Sequence, residues 1–328
     1  MEHVYLTYHR NQIQYLPECA EYDPDLSYKL KTGTCQFSNI EFSTTVTGNS
    51  YGLRDDEASL IEPEIICLGD SYTMGWGVEG EQTFAQLIEK ETKMKTLNAG
   101  MSSFGTPREM ILLGKLDISK LKYLVIQYHP NDDYENQVFV ENNNFLPIQS
   151  KKQFDHNCEK HINRRRYVPL RYFSNFLHQR WLYPESSTMF VNLGIAAGSV
   201  SDTPGAISSK ATDSFAESKD LDKTEQSAFN FLEIIKSHDE LSQVNLIILI
   251  ITWSTDLTID FKERIKSLTK QYEYPDFINS ATVVNPWKFM NNQDYFYLDD
   301  HLNTKGHRKI GSALSEIINE QKSKNEVE

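Results

Sequence analysis

The stretch Glu64–Ser71 reads EIICLGDS, and it decides the fold. It begins as a short, mostly apolar run that ends at a glycine, which is typical of a buried strand. The segment Gln82–Glu91 follows, and its apolar residues Phe84, Leu87 and Ile88 are spaced for one face of a helix. A strand followed by a helix is the unit from which parallel sheets are built.

The same alternation continues along the chain. Further strands are predicted at Lys122–Tyr128, Val244–Thr252 and Ala281–Asn285. Val244–Thr252 is apolar at nearly every position, as a strand covered on both faces should be. An amphipathic helix closes the chain, with apolar positions Ile310, Ala313, Leu314, Ile317 and Ile318. We therefore predict an α/β fold, a three-layer α/β/α sandwich with a central, mainly parallel sheet.

Two regions interrupt this alternation. Residues 1–60 carry turn signals and alternating stretches such as Glu41–Val46, so we predict an N-terminal extension that packs on a core domain spanning 61–328. Residues 140–220 are predicted to be a helical insertion, flexible in part, that forms a lid. Its arginines, around 164–171, fit either a solvated helix face or a clamp for an anionic substrate.

Charge and hydropathy exclude several classes of partner. The chain has 328 residues, 33 basic and 46 acidic, and a net charge of −13. An acidic surface repels phosphate backbones and anionic lipid, which argues against nucleic-acid binding and electrostatic membrane docking. The longest apolar run, Leu246–Ile251, is too short to cross a bilayer. A small-molecule or glycan partner fits better, and the oligomeric state is left open.

The first residues, MEHVYLTYHR, contain no basic segment followed by an apolar one, so no signal peptide is predicted. We expect a cytoplasmic protein if Met1 is the native start, and a periplasmic or secreted one if an export segment has been removed. None of the cysteines (Cys19, Cys35, Cys67 and Cys158) has CxxC spacing, which argues against a zinc or redox site. Cys19 and Cys35 would pair in an oxidising compartment, but we predict free thiols.

Gly69-Asp70-Ser71 follows the first core strand directly. The carboxyl end of a parallel strand is where open α/β sheets build their sites. A serine hydroxyl becomes a nucleophile only when a neighbouring base takes its proton. Without such a base, Ser71 would be read as a turn residue that caps a helix.

One of the nine histidines, His301, is accompanied by two carboxylates in the segment Asp299-Asp300-His301. A carboxylate beside an imidazole fixes its tautomer and stabilises the imidazolium that forms during proton transfer. We choose Asp299 as that partner and keep Asp300 as the alternative.

Acyl transfer also needs hydrogen-bond donors for an oxyanion. Gly100, in Asn98-Ala99-Gly100, offers a backbone N–H, and Asn131, after the strand that ends at Tyr128, offers a side-chain amide. The alternatives are a tight turn at Gly100 and an Asx-turn at Asn131.

Taken in order, these segments resemble the SGNH (GDSL) hydrolase superfamily. The four blocks are Gly69–Val78, Asn98–Thr106, Pro130–Asp132 and Asp299–His307. The lead-in Asn49–Asp55 resembles that of bacterial members that act on acylated polymers. The third block departs from the family pattern, because His129 stands where a glycine is usual.

The resemblance implies a flavodoxin-like α/β/α sandwich and ester hydrolysis without a metal or other cofactor. Ser71 would attack the acyl carbon, His301 would act as general base and then acid, and Asp299 would orient His301. The Ser71 N–H, the Gly100 N–H and the Asn131 side chain would hold the oxyanion. Further residues in or beside these blocks are predicted to contact substrate, namely Asp70, Trp76 and His129.

We therefore predict a serine esterase that acts on small acyl groups, such as acetyl, on carbohydrate. One alternative keeps the site but passes the acyl group to a sugar hydroxyl, which would make the protein an O-acyltransferase of polysaccharide. Another is a non-catalytic carbohydrate-binding protein on a decayed hydrolase fold, motivated by His129 and the short Asp-His spacing.

Overall fold

The computed structural model describes residues 10–165, 222–252 and 255–325. Two antiparallel hairpins lie near its beginning: β1 (Ala20–Asp23) pairs with β2 (Ser27–Leu30), and β3 (Gly33–Ser38) pairs with β4 (Ser43–Gly48). Tyr28 of β2 and Phe37 of β3 are buried in the same hydrophobic cluster as the core strands. The hairpins therefore pack against the central domain and bury apolar surface with it.

The central sheet has five parallel strands in the order β6-β5-β7-β8-β9. They are β5 (Ile65–Gly69), β6 (Thr96–Gly100), β7 (Tyr123–Tyr128), β8 (Asn245–Ile250) and β9 (Thr282–Val284). The chain leaves β5 in one direction to form β6 and then crosses back to form β7 on the other side. This reversal makes the carboxyl end of β5 the topological switch point, the usual position of a ligand crevice in such sheets.

Helices flank this sheet. They are α1 (Ser71–Met74), α2 (Phe84–Thr92), α3 (Thr106–Leu113), α4 (Asp133–Glu141), α5 (Lys151–Arg165), α6 (Lys223–Ile235), α7 (Thr255–Gln271), α8 (Asp276–Asn279) and α9 (Thr304–Asn325). None of the helices in the described ranges combines the length and apolarity that crossing a membrane requires.

The sheet is buried on both faces. Ile66 and Leu68 of β5 join a cluster that includes α3, α6 and α7, whereas Ile65 and Cys67 join a cluster formed with α2 and α9. Successive strand residues point to opposite faces, so an uninterrupted apolar strand requires a layer of helices on each side. The predicted three-layer α/β/α sandwich is confirmed.

Element ends differ from the prediction by one or two residues. The strand predicted at Val244–Thr252 spans Asn245–Ile250, and the helix predicted to begin at Gln82 begins at Phe84. The cause at the helix is local, because the Thr83 side chain accepts a hydrogen bond from the Gln86 N–H and caps the helix there. Most of the predicted insertion, 166–221, lies outside the described residues, so its role as a lid stays a prediction.

The prediction of free thiols at Cys19 and Cys35 is wrong, because the two residues form a disulfide. The β1–β2 hairpin returns the chain to its start, and the Lys31 N–H donates to the Cys19 carbonyl over 2.8 Å. Cys35 comes only four residues later and is thereby brought within bonding distance. Cys67 and Cys158 are free and buried, as predicted for thiols without CxxC spacing.

Candidate active site

Ser71 is the first residue of α1, and a single residue, Asp70, separates it from the end of β5. Asp70 caps the helix, since its Oδ1 accepts a hydrogen bond from the Tyr72 N–H over 2.9 Å. Gly69 has a φ of +155°, and a Cβ at this position would lie 2.2 Å from Thr73 Oγ1. Only glycine fits this crowded turn, which sets the serine at the carboxyl edge of the sheet.

Ser71, His301 and Asp299 form a continuous hydrogen-bonded series. His301 Nε2 lies 2.6 Å from Ser71 Oγ, and His301 Nδ1 lies 2.5 Å from Asp299 Oδ1. The Asp299 carboxylate is engaged on its other oxygen too, because Oδ2 accepts from the Trp76 indole N–H over 3.2 Å. The hydroxyl and the imidazole therefore meet, although 230 residues separate them.

The loop that carries His301 is held by the N-terminal hairpins. Glu41, between β3 and β4, accepts backbone hydrogen bonds from Tyr297, Leu298 and Asp299 at 2.6–2.9 Å. A carboxylate that accepts three N–H groups fixes the backbone of that segment. The N-terminal extension thus contributes to the position of the imidazole.

The contact of Trp76 with substrate stays a prediction, and the structure places its indole against the imidazole of His301. Trp76 is 2 % exposed, and its indole stacks on the His301 ring at 4.7 Å with an interplanar angle of 16°. The indole also packs edge-to-face with Phe37, with ring centres 4.7 Å apart. Trp76 therefore supports the imidazole, and Tyr72 adds a second ring 4.8 Å from it.

The lead-in segment Asn49–Asp55 acts on the two turns that flank the serine. Arg54 is buried, and its Nη2 donates to the Val78 carbonyl over 2.6 Å, beyond the end of α1. Asp55 Oδ2 accepts from the Asn98 N–H in β6 over 2.7 Å. Through these two contacts the segment holds the backbone after α1 and the backbone of β6, so its contribution to the site is structural support.

Arg10 is a site residue that sequence reasoning missed. Its Nη2 lies 2.7 Å from His301 Nδ1, 3.0 Å from Asp300 Oδ1 and 3.4 Å from Asp299 Oδ1. Its guanidinium carbon lies 5.1 Å from the centre of the Trp76 ring. A single arginine in a segment without a pattern carries no sequence signal for such a position.

Asp299, Asp300 and His301 offer possible metal-ligand atoms within 4.8 Å of one another. Arg10 already supplies a positive charge to both of these carboxylates.

These contacts decide the charge of each group. Burial acts to raise the pKa of Asp299, but His301 and Arg10 outweigh it and hold that pKa below its usual value. The pKa of Asp300 is also lowered, since Arg10 and His301 outweigh burial there. Burial acts to lower the pKa of His301, but Asp299 outweighs it and the net shift is upward. Both carboxylates are therefore ionised at neutral pH, and the imidazole binds a proton more tightly than an unperturbed histidine does.

A second group of carboxyls, which we call the rear carboxyls (Asp70, Glu109 and Asp132), is buried, and electrostatic repulsion links its members. Burial raises the pKa of Asp70 to about 6. Burial and repulsion from Asp70 raise that of Glu109 well above its usual value, and burial and repulsion from Glu109 do the same for Asp132. Neither Glu109 oxygen has a hydrogen-bond partner among the described residues.

The substrate contacts of Asp70 and His129 also stay predictions, and the structure gives both side chains a capping role. Asp70 is 4 % exposed and serves as the cap of α1. His129 has no exposed surface, and its Nδ1 accepts from the Asn131 N–H over 3.2 Å, so it caps the turn Pro130–Asp132. Burial lowers the pKa of His129 to about 3, which keeps the ring neutral. Its φ of −135° also explains why glycine is not required at this position.

The predicted oxyanion donors differ in the contacts that they make in the structure. The Gly100 N–H donates to Asn98 Oδ1 over 3.1 Å, so it would have to leave that acceptor to bind an oxyanion, and its donor role stays a prediction. Glycine is needed there for packing, since a Cβ would lie 2.2 Å from the Met74 nitrogen. Asn131 is exposed in the turn after β7. The donor roles of its side chain and of the Ser71 N–H stay predictions.

Comparison with known proteins adds little. No protein-family model and no curated protein matches the sequence. Among solved structures, the chain is similar to a protein from Desulfitobacterium hafniense DCB-2 that is described as lipolytic and of the G-D-S-L family. The two chains share 10 % sequence identity with a TM-score of 0.40, and the match covers 77 % of this chain and 98 % of that one. A similarity this low assigns neither a family nor a role to this chain.

Proposed function

We propose that this protein is a serine esterase that removes small acyl groups, acetyl above all, from carbohydrate. The observation that carries the proposal is the unbroken series Ser71–His301–Asp299, with distances of 2.6 and 2.5 Å, at the carboxyl edge of a parallel sheet. Neutral His301 accepts the proton of Ser71 at Nε2 while Oγ attacks the acyl carbon. His301 then returns that proton to the leaving alkoxide, and water releases the acyl group in a second round.

The roles of the partners follow from their contacts. Asp299 keeps the Nδ1 proton of His301 on its own side, so Nε2 faces Ser71 as an acceptor. The Ser71 N–H and the Asn131 amide are our candidates for the oxyanion. Each well-placed donor of this kind contributes about 2.7–4 kcal/mol to the transition state.

Two features support the substrate class. Ser71 is 8 % exposed and His301 is 3 % exposed, which favours a short acyl group over a long chain. The lead-in Asn49–Asp55 resembles that of bacterial proteins that act on acylated polymers, which supports a carbohydrate alcohol.

A second candidate is an O-acyltransferase that passes the acyl group from Ser71 to a sugar hydroxyl. The low exposure of Ser71 and His301 favours it, because exclusion of water protects an acyl intermediate. The non-catalytic alternative has lost its motivation: His129 is accounted for as a cap, and the short Asp-His spacing still gives a 2.5 Å contact.

We also propose an oxidising compartment, periplasmic or extracellular, as the place of action. The Cys19–Cys35 disulfide supports this, because structural disulfides form and persist mainly outside the reducing cytosol. Thiol titration of the unfolded protein should count two free thiols before reduction and four after it.

The proposal is tested by labelling with a fluorophosphonate and by hydrolysis of p-nitrophenyl esters of increasing chain length. Wild type should be labelled and should hydrolyse the acetyl ester fastest. Ser71→Ala should abolish labelling and lower hydrolysis by at least about 10³-fold. Ser312→Ala, an exposed serine of α9, is the matched control and should behave as wild type.

A folded wild type that is neither labelled nor active on any ester would overturn the assignment. Product analysis with an acyl donor and a glycan acceptor then separates the two catalytic candidates, since free acid indicates the esterase and acylated glycan the transferase.

A further inference from the structure

Two carboxylates face the same ring nitrogen of His301. Asp299 Oδ1 lies 2.5 Å from Nδ1, and Asp300 Oδ1 lies 3.2 Å from it. Two adjacent negative charges both stabilise the imidazolium form. A histidine that is already protonated cannot take a proton from Ser71, so the second carboxylate works against general-base action.

Arg10 supplies the opposing charge. Its Nη2 approaches Asp300 Oδ1 to 3.0 Å and His301 Nδ1 to 2.7 Å. Nδ1 has one in-plane position for a hydrogen bond, and the closer Asp299 takes it, so the guanidinium acts on the ring through its charge. Asp300 Oδ1 has no hydrogen bond of good geometry in the described part of the chain, so its ion pairs are what compensate it.

The segment that carries Arg10 is anchored on three sides. The Asn11 N–H donates to Asn39 Oδ1 over 2.6 Å, and Asn11 Oδ1 lies 3.0 Å from His161 Nε2 of α5. Gln14 Nε2 donates to Ser103 Oγ over 2.9 Å, in the loop after β6. Because its neighbours are fixed in this way, Arg10 is presented to the imidazole by the fold.

We infer that Arg10 is a positioning residue of the Ser71–His301–Asp299 triad, which neutralises Asp300 so that Asp299 alone sets the state of His301. This inference rests on the proposed function of that triad. It gives the N-terminal segment a direct part in the chemistry, in addition to its packing on the core.

The charged environment of His301 defines what should change when Arg10 is replaced. Six charged or titratable groups interact electrostatically with the His301 ring. They are Asp299 and Asp300 of its own loop, Arg10 of the N-terminal segment, Asp70 before α1, His129 after β7 and His307 of α9. Burial lowers the pKa of His301, Asp299 raises it, and Arg10 lowers it again. Loss of the guanidinium should therefore raise the pKa of His301.

The test is an NMR titration of the His301 ring, assigned by comparison with His301→Asn. We expect Arg10→Gln to raise the midpoint by about one pH unit. Arg10→Lys, which keeps the charge, should shift it by less than half as much. Asp300→Asn should lower it, and Arg10→Gln with Asp300→Asn should return it close to wild type, because both opposing charges are gone.

The acid limb of the rate of fluorophosphonate labelling should move by the same amount as the NMR midpoint. A titration midpoint unchanged by Arg10→Gln, in a protein that is still folded and labelled, overturns the inference and leaves the esterase proposal intact. If wild type is never labelled but the midpoint moves as expected, the esterase proposal fails and the charge-balancing contact of Arg10 stands.

Discussion

Two groups of carboxyls belong to the region of Ser71, and their pKa values are shifted in opposite directions. Asp299 and Asp300, which we call the front pair, have lowered pKa values, whereas the rear carboxyls have raised ones. Burial acts in the same direction on both groups. The front pair is ionised because a histidine and an arginine contact it, while the Glu109 carboxyl has no hydrogen-bond partner among the described residues. The comparison teaches that the partners of a buried carboxyl, and not the residue type, decide its charge.

The largest effect should come from removing the front charge that orients the imidazole. Asp299→Asn replaces a proton acceptor of His301 by an amide of similar shape, so we expect kcat to fall by about 10⁴-fold. Asp300→Asn is the matched control and should cost less than about tenfold, since Asp300 lies farther from Nδ1. Both are measured with p-nitrophenyl acetate. The opposite order of losses would make Asp300 the orienting residue.

A smaller effect, on stability, is expected from removing the disulfide next to the hairpin that holds the His301 loop. Cys19→Ser with Cys35→Ser removes a cross-link between residues 16 apart in the sequence. The free energy of unfolding should fall by about 3 kcal/mol, because the unfolded chain gains freedom. Urea unfolding without reductant measures it, and Cys158→Ser, a thiol outside the disulfide, is the control. If the double variant and wild type unfold at the same urea concentration, the cross-link does not stabilise this protein.

The smallest effect concerns the rear carboxyls. The folded-state pKa of Glu109 is raised above the ordinary value of 4.5, so its stabilising contribution is complete below pH 4.5 and is lost as pH rises toward the folded-state pKa. Glu109→Gln removes this loss and should raise the free energy of unfolding at pH 8 by about 1–2 kcal/mol. It should also flatten the dependence of stability on pH.

The control for this prediction is Glu135, which pairs with Arg108 Nε over 2.8 Å. Glu135→Gln should lower stability at pH 8, because it leaves a largely buried guanidinium without its carboxylate. If both variants lower stability alike, Glu109 is ionised in the folded protein and the contrast between front and rear carboxyls is wrong.

The fold and the front of the site were predictable because their signals are local. Apolar runs mark the strands, and Ser71 stands next to one of them. His301 was found because Asp299 and Asp300 stand beside it in the sequence. Arg10 was missed because its partner is 291 residues away, and no pattern around position 10 indicates that contact.

The partners of other residues could not be predicted, because residue type does not reveal which partner is nearest after folding. A glycine N–H is suited to an oxyanion, but at Gly100 the Asn98 side chain takes it. An imidazole is suited to a pocket, but at His129 a backbone N–H takes it. The spacing of the cysteines likewise does not reveal that the β1–β2 hairpin brings Cys19 and Cys35 together.

The packing of two aromatic rings against His301 restricts how a proton travels through the site. The indole of Trp76 and the ring of Tyr72 lie within 5 Å of the imidazole, so rotation of that ring about its Cβ–Cγ bond would collide with them. The two rings therefore oppose a flip of the imidazole, and each nitrogen keeps its partner: Nδ1 contacts Asp299 and Nε2 contacts Ser71. The proton that Nε2 takes from Ser71 must therefore leave from Nε2 as well. The leaving alcohol oxygen and the water or hydroxyl that later attacks the acyl group must then occupy the same position beside Nε2.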